Sequence, residues 1–244
     1  MVYTTGVMLS TGEENETATE PPWWTPAKPS RRRNPLSREQ IVEAALRIVD
    51  QEGADAMTVR RIGEQLNTGS ATIYWYVSGK DEIVELVYDH VMGGLELPEP
   101  DAACWAEQLK DFGRQAYRLL LQHKDLVALS AGRVPVGPNM LRVMEWFQAL
   151  LRGAGLPDYA AAFAGDIFGR YIDASVLEVT AQGGPPAELV GQYFASLPPD
   201  RFPNMAAMHR TRAGREDDAR FEFGLDVLVR GFVSLVGRPA SGCD

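Results

Sequence analysis

The sequence predicts an all-α protein: an N-terminal three-helix helix-turn-helix head on an all-helical body. Three observations carry this. Residues 58–80 hold two short apolar-faced segments joined by the turn residues Asn67, Thr68, Gly69 and Ser70. From residue 102 onward, apolar residues recur at helical spacing, and no stretch alternates as a half-buried strand would. The chain has 244 residues, 45% of them hydrophobic, enough to bury a core as one domain or two small ones.

Residues 1–34 read as an extended or disordered arm. Glu13, Glu14, Glu16 and Glu20 lie among Thr, Asn and Gly, and Pro21, Pro22, Pro26 and Pro29 follow. Such a segment buries too little to offset its ordering entropy. Just before the first helix stand Lys28, Arg31, Arg32 and Arg33. They are either a solubilising leader or an arm that reaches an adjacent minor groove. Trp23 and Trp24 either pack on the body or stay free.

Residues 37–52 form the first helix. Ser37 and Gln40 make a capping box, Ile41, Ala44, Ala45, Ile48 and Val49 are the buried stripe, and Gly53 ends the helix. Thr58 caps the second, whose apolar face is Val59, Ile62 and Leu66. A short third helix carries Ala71, Thr72, Ile73, Tyr74, Trp75 and Tyr76. Ile73 and Val77 can face a core together, whereas the other side chains cannot all do so. The first of these two helices braces and the second enters a major groove. Ser70, Ala71 and Thr72 are small enough to approach base edges. Ser78 caps a fourth helix, with Asp81 and Glu82 in its first turn and Ile83, Val84, Val87 and Val91 on its apolar face, as far as Gly93 and Gly94.

Residues 36–94 resemble the DNA-binding region of the tetracycline-repressor family. The matching pieces are SREQIVEAALRIVDQEG, MTVRRIGEQL and TIYWYVSGKDEIVELV. Asn67 stands where the family usually has Gly, and Asn tolerates the left-handed conformation such a turn needs. The resemblance implies that Arg60, Ser70, Ala71, Thr72, Tyr74, Trp75, Tyr76 and Lys80 face double-stranded DNA. Tyr74 and Lys80 would then meet phosphates, and Ser70, Ala71 and Thr72 would lie nearest the bases. Some relatives carry basic arms, which implies a DNA role for Arg31, Arg32 and Arg33. The formal net charge of −9 does not oppose this reading, because repulsion from the body is screened within about 8 Å at physiological salt. It argues against a protein that coats DNA without sequence preference.

Beyond the linker at residues 97–101, the pattern predicts helices over 102–123, 126–131, 139–151, 156–181, 187–197 and 216–236, with 198–215 irregular or broken. This series resembles the ligand-binding and dimerisation body of the same family. The resemblance implies a domain division of 1–34 arm, 35–82 helix-turn-helix domain, 83–238 ligand-binding and dimerisation domain, and 239–244 tail. It also implies a homodimer joined through the two long helices nearest the C-terminus. Phe163, Ile167, Tyr171 and Ala174 mark one of these, and Phe221, Leu225, Leu228, Phe232 and Leu235 mark the other. A small-molecule effector would lie between the fifth, sixth, seventh and eighth helices. Trp105, Phe112, Met140, Met144 and Phe147 are its candidate walls, although such stripes are more often plain core, and Arg133 is a candidate anchor for an acidic group. Asp166, Arg170 and Asp173 read as a salt-bridged solvent or interface face.

No nucleophile–base pair or phosphate loop emerges, so an enzyme is not expected. Cys104 and Cys243 form no CxxC pair and no metal-ligand spacing with His90, His123 and His209, so neither metal nor cofactor is expected and the compartment is a reducing one. No run of about 18 apolar residues is present, and the N-terminus lacks a basic start and a long apolar core. The expected location is therefore the bacterial cytoplasm, at the nucleoid, without membrane contact. The reading is a homodimeric repressor released from its operator by a small hydrophobic, antibiotic-like ligand. The alternative is a constitutive or partner-controlled DNA-binding regulator with no such ligand.

Overall fold

A computed structural model describes residues 36–133, 136–180, 187–212 and 217–237. They form eleven α-helices and no strand. Helix α1 (Arg38–Glu52) starts at a capping box: Gln40 N–H donates to Ser37 Oγ, and Ser37 N–H donates to Gln40 Oε1 (2.8 Å). It stops at Gly53, whose φ of 88° suits a residue without Cβ. One 3-10 turn (Ala54–Ala56) leads into α2 (Val59–Gln65), capped by the Thr58 hydroxyl. Helix α3 (Ser70–Ile73) is shorter than the sequence pattern suggests, because residues 74–76 continue as a tightened turn.

Helix α4 (Lys80–Met92) is not capped by Ser78, contrary to the sequence reading. Gly79 is its N-cap, and Ser78 instead donates from its N–H (2.6 Å) and Oγ (2.8 Å) to the Glu82 carboxylate. Arg38 also donates to Glu82, so one acid in the first turn of α4 ties the end of the α2–α3 unit to the start of α1. Helix α4 is buried nearly all round, at Ile83, Val84, Leu86, Val87, Tyr88, Val91 and Met92. It packs against α1 on the head side and α6 and α7 on the body side. A single hydrophobic cluster therefore runs from Ile41 through α4 to Phe232.

The body contains α5 (Trp105–Gln122), α6 (Lys124–Ser130), α7 (Pro138–Gly153), α8 (Asp158–Thr180), α9 (Ala187–Ser196), α10 (Pro203–Arg212) and α11 (Asp217–Val233). The segment 198–215, expected to be irregular or broken helix, contains α10 over part of its length. Helix α8 packs against α5, α6, α7 and α11. Gly113 lets α5 approach closely, since a Cβ there would stand 2.9 Å from both Leu225 and Phe168. A polar seam pins α11 to α5: Arg114 forks onto Glu222 (2.9 Å), and Lys110 meets Asp226 (2.9 Å). The arm and the C-terminal tail lie outside the described residues, with Arg31, Arg32 and Arg33 in the arm.

Candidate nucleic-acid interface and effector site

The helix-turn-helix is built around one close backbone approach. Asn67 adopts a φ of 51°, the left-handed conformation the turn requires. The chain then doubles back so that Thr68 N–H donates to Gly63 O at 2.8 Å. A Cβ at Gly63 would stand 2.8 Å from Thr68 O, so this helix position needs glycine. Helix α3 and the turn after it are held by two buried anchors, Ile73 and Val77, and α3 packs on α2.

That anchoring turns the remaining side chains outward. Trp75 is 84% exposed and Tyr74 56%, adjacent aromatic side chains displayed to solvent together. Ala71 is exposed, and Ser70 and Thr72 are half-buried on the same short helix. Tyr76 differs from its neighbours: it is half-buried and packs against the core cluster. Arg60 projects from the start of α2 and pairs with Glu64 (2.9 Å). Lys80 is exposed at the first position of α4.

The charges of the head are largely spent internally. Residues 36–94 hold five Lys or Arg against ten Asp or Glu. Arg38 pairs with Glu82, Arg47 with Glu43, Arg60 with Glu64 and Arg61 with Glu52. Of the five Lys and Arg among the described head residues, only Lys80 stands outside these ion pairs. The Arg61 link lowers the Glu52 carboxyl below its usual range, chiefly through their hydrogen bond.

In the body, the expected aromatic residues meet, but they meet as packed rings. Phe112 lies 5.1 Å from Trp146, 6.4 Å from Phe147 and 6.2 Å from Phe168, centroid to centroid, and Phe147 lies 5.5 Å from Phe168. Trp105 is also buried, and Met140 packs partly buried against the cluster. Trp146 and Phe168 were missing from the sequence reading. Trp146 follows Val143 by three residues on the buried stripe, a signal that was available, and its indole N–H donates to Pro98 O (2.6 Å). Met144 stands apart with 47% exposure. Arg133 is exposed and donates to Asp81 of α4 (2.7 Å). An open depression of about 430 Å³ lies elsewhere, along the outer face of α5, lined by Gly94, Arg114, Gln115, Arg118, Leu119 and Gln122 among others.

Two features of the long helices correct the sequence reading. Phe221, Leu225 and Phe232 face their own chain: Phe221 stacks on Tyr117 (3.9 Å), and Tyr171 donates its hydroxyl to Phe221 O (2.8 Å). The large apolar residues that α8 and α11 leave open include Phe163 (66%) and Ile167 on α8 and Phe223 (71%) and Val227 on α11. Helical spacing marks both faces of α11 as apolar and cannot say which one the chain itself covers. Asp166 and Arg170 do pair in solvent (2.9 Å), but Asp173 does not share their setting. Burial pushes its carboxyl from 3.8 up to about 6, and its charge acts on Tyr88 of α4.

Residues 41–87 match the family model described as bacterial regulatory proteins, tetR family. Residues 97–236 match the one described as tetracyclin repressor-like, C-terminal domain. A transcriptional repressor of Streptomyces coeruleorubidus is 30% identical over 229 residues, covering 88% of this chain and 84% of the relative. A transcriptional regulator of Saccharopolyspora erythraea is 28% identical over 220 residues, covering 88% and 92%. Among solved structures, ActR of Streptomyces coelicolor in complex with actinorhodin superposes with a TM-score of 0.78 at 38% identity, covering 84% of this chain and 98% of that one.

Proposed function

This chain belongs to the tetracycline-repressor family of transcriptional regulators, and from that premise we propose that it is a homodimeric repressor which a small hydrophobic, antibiotic-like ligand releases from its operator. The observation that carries the DNA-binding part is the outward display of Tyr74, Trp75 and Lys80 on a turn whose reverse side is anchored by Ile73 and Val77. Ser70, Ala71 and Thr72 read base edges. Tyr74 and Lys80 hold phosphates, with Arg60, Trp75 and Tyr76 beside them. The acidic balance of the head leaves counterion release to Lys80 and to the arm, where Arg31, Arg32 and Arg33 follow Lys28. The open apolar residues Phe163, Ile167, Phe223 and Val227 support an isologous dimer, which sets two heads for two half-sites. Such a regulator works in the bacterial cytoplasm, at the nucleoid.

The effector reading is supported by the likeness to ActR, which is seen with actinorhodin. Trp105, Phe112, Met140, Met144 and Phe147 would line the site once the packed rings part, and Arg133 would meet an acidic group at its edge. Because those rings fill the space between α5, α7 and α8, a ligand has to favour a state in which they are displaced. The same filling favours a second reading, a constitutive or partner-controlled regulator with no small-molecule ligand. Titrating actinorhodin and minocycline into a complex of the protein with DNA selected from a random-sequence pool separates the two. Dissociation by either compound supports release. A complex indifferent to both, and to a wider panel of antibiotics, supports the constitutive reading.

A further inference from the structure

The interior around α4 holds two acids, and the chain treats them in opposite ways. Asp89 of α4 is 4% exposed, and donors at the start of α7, 50 residues on, satisfy it. Met140 N–H donates to Oδ1 (2.8 Å), and Asn139 N–H (3.3 Å) and Nδ2 (3.0 Å) donate to Oδ2. Asp173 of α8 receives nothing comparable. It is half-buried, and among the described residues it accepts no hydrogen bond and forms no ion pair. Arg170, about one turn earlier, is engaged with Asp166 instead (2.9 Å). Burial alone raises the Asp173 carboxyl, to about 6, with no cation or donor to offset it. Near neutrality it is therefore an anion withdrawn from water without a partner, a rare state in a folded chain.

The group that feels its charge is unsatisfied too. Tyr88 of α4 is 6% exposed, and its hydroxyl makes no hydrogen bond among the described residues. Burial, and then the charge of Asp173, push the phenol above its usual range, so it stays a neutral hydroxyl that can donate and accept. The helix packing explains why the two are near but unbonded. Helices α4 and α8 each pack against α6 and α7, and far less on each other. On α8, Tyr171 points to α11, where its hydroxyl reaches Phe221 O (2.8 Å). Two positions along a helix turn a side chain by about 200°, so Asp173 takes the opposite flank, toward α4. Four helices thus frame the space between the two groups. The start of α7 brings Met140, one of the candidate effector walls, to the same level of α4.

We propose that Asp173 and Tyr88 form the polar pole of the effector site, and that the effector is a flat apolar molecule carrying a protonated amine. The inference rests on the reading of the body as an effector-binding domain and adds the charge of the ligand to it. Polar groups that converge in an apolar surround, one of them with a displaced titration, mark a binding site. An ammonium seated between the two donates to the Asp173 carboxylate and to the Tyr88 oxygen. A carboxylate stripped of solvent gains more from a cation than an exposed one does, because no water competes for it. An anionic ligand would meet like charge here, and Arg133, which could receive it, stands at the exposed edge with Asp81.

The test uses three fluorescent probes with one ring system: anthracenemethylamine, which is protonated at neutral pH, anthracenemethanol and anthracenecarboxylate, all substituted on the central ring. Each is titrated at neutral pH into wild type, Asp173→Asn, Tyr88→Phe and Asp166→Asn, with circular dichroism to show that every protein is folded. Wild type should bind the amine about tenfold more tightly than the alcohol, the equivalent of one hydrogen bond to a charged group, and the acid most weakly. In Asp173→Asn the amine and the alcohol should come within about twofold of each other. Tyr88→Phe should weaken both by about two- to tenfold and keep the preference. Asp166→Asn, which removes a solvated carboxylate from the same helix, should match wild type within about twofold. An amine that does not bind, or binds no better than the alcohol, would overturn the pole. So would a preference that survives Asp173→Asn, or a preference for the acid, which would move the site to Arg133. An amine that binds with the Asp173-dependent preference yet leaves the protein on DNA selected from a random-sequence pool would sink the release reading and leave the pole standing.

Discussion

The outer edge of the head and the interior of the body use aromatic residues in opposite ways. At the end of α3, Trp75 and Tyr74 stand in solvent and the chain beneath them is fixed by Ile73, Val77 and the Gly63 contact. In the body, Phe112, Trp146, Phe147 and Phe168 contact one another and leave little for a ligand to touch. A surface whose side chains are already displayed binds without rearrangement, whereas a site whose walls fill it binds only after opening. The two halves of the proposed function therefore have different energetics. Recognition of DNA is a matter of preformed geometry, and any response to a ligand is set by the free energy of parting a packed core.

Matched truncations sharpen this contrast most. Phe112→Ala should cost about 3–5 kcal/mol of stability, the usual range for a buried phenylalanine. Trp75→Ala removes a larger side chain yet should change stability by no more than about 0.5 kcal/mol, while weakening DNA binding. Chemical denaturation of both variants reads the difference. Equal destabilisation would mean that Trp75 has a packing role the isolated chain does not reveal.

Asp173 makes a prediction about the body alone. Its carboxyl is raised from 3.8 to about 6 by burial, so the folded chain holds that proton more readily than the unfolded chain does. The contribution is thus least unfavourable at low pH, worsens as the pH climbs from about 4 to 6, and is fully unfavourable above that. At about 1.4 kcal/mol per pKa unit, reduced for partial solvation, the cost near neutrality is roughly 1–3 kcal/mol. Asp173→Asn should be the more stable protein at pH 7, and the gain should vanish below about pH 4. Melting curves across that range would refute the desolvated setting if the two proteins track each other.

Gly63→Ala tests how rigidly the head is built. The added methyl would meet a backbone carbonyl that cannot swing aside, so a loss of about 1–3 kcal/mol is expected, together with weaker DNA binding. A smaller loss with unaltered DNA affinity would show that the turn can relax.

The gentlest effects are electrostatic. Deleting residues 1–33 removes Lys28, Arg31, Arg32 and Arg33 and should lower the salt slope of DNA binding by up to about 3–4. Lys80→Ala should lower it by about 1. Binding titrations at several salt concentrations give both slopes, and an unchanged slope in the truncated protein would make the arm a passive leader.

Much of the architecture was legible in the residues themselves. The capping box at Ser37, the Thr58 cap, the left-handed Asn67 and the terminating Gly53 all lie within five residues of what they control, so a linear reading reaches them. The burial stripe Ile41, Ala44, Ala45, Ile48 and Val49 follows from one helical period. The aromatic cluster ending in Lys80 was specific enough to point to the family. Ser78 misled because a serine before two acids looks like a cap, whereas here Glu82 collects Ser78 and Arg38 instead.

The sequence by itself therefore determined the all-helical class, the position of the head and the turn at its centre, because helix periodicity, capping and turn chemistry are decided among near neighbours. Only the tertiary structure decided that Phe221, Leu225 and Phe232 face inward while Phe223 and Val227 do not, that Asp173 is desolvated beside a paired Asp166 and Arg170, and that Asp89 caps a helix 50 residues away. Burial and long-range capping depend on which distant segment arrives opposite a side chain, and a linear pattern holds no term for that.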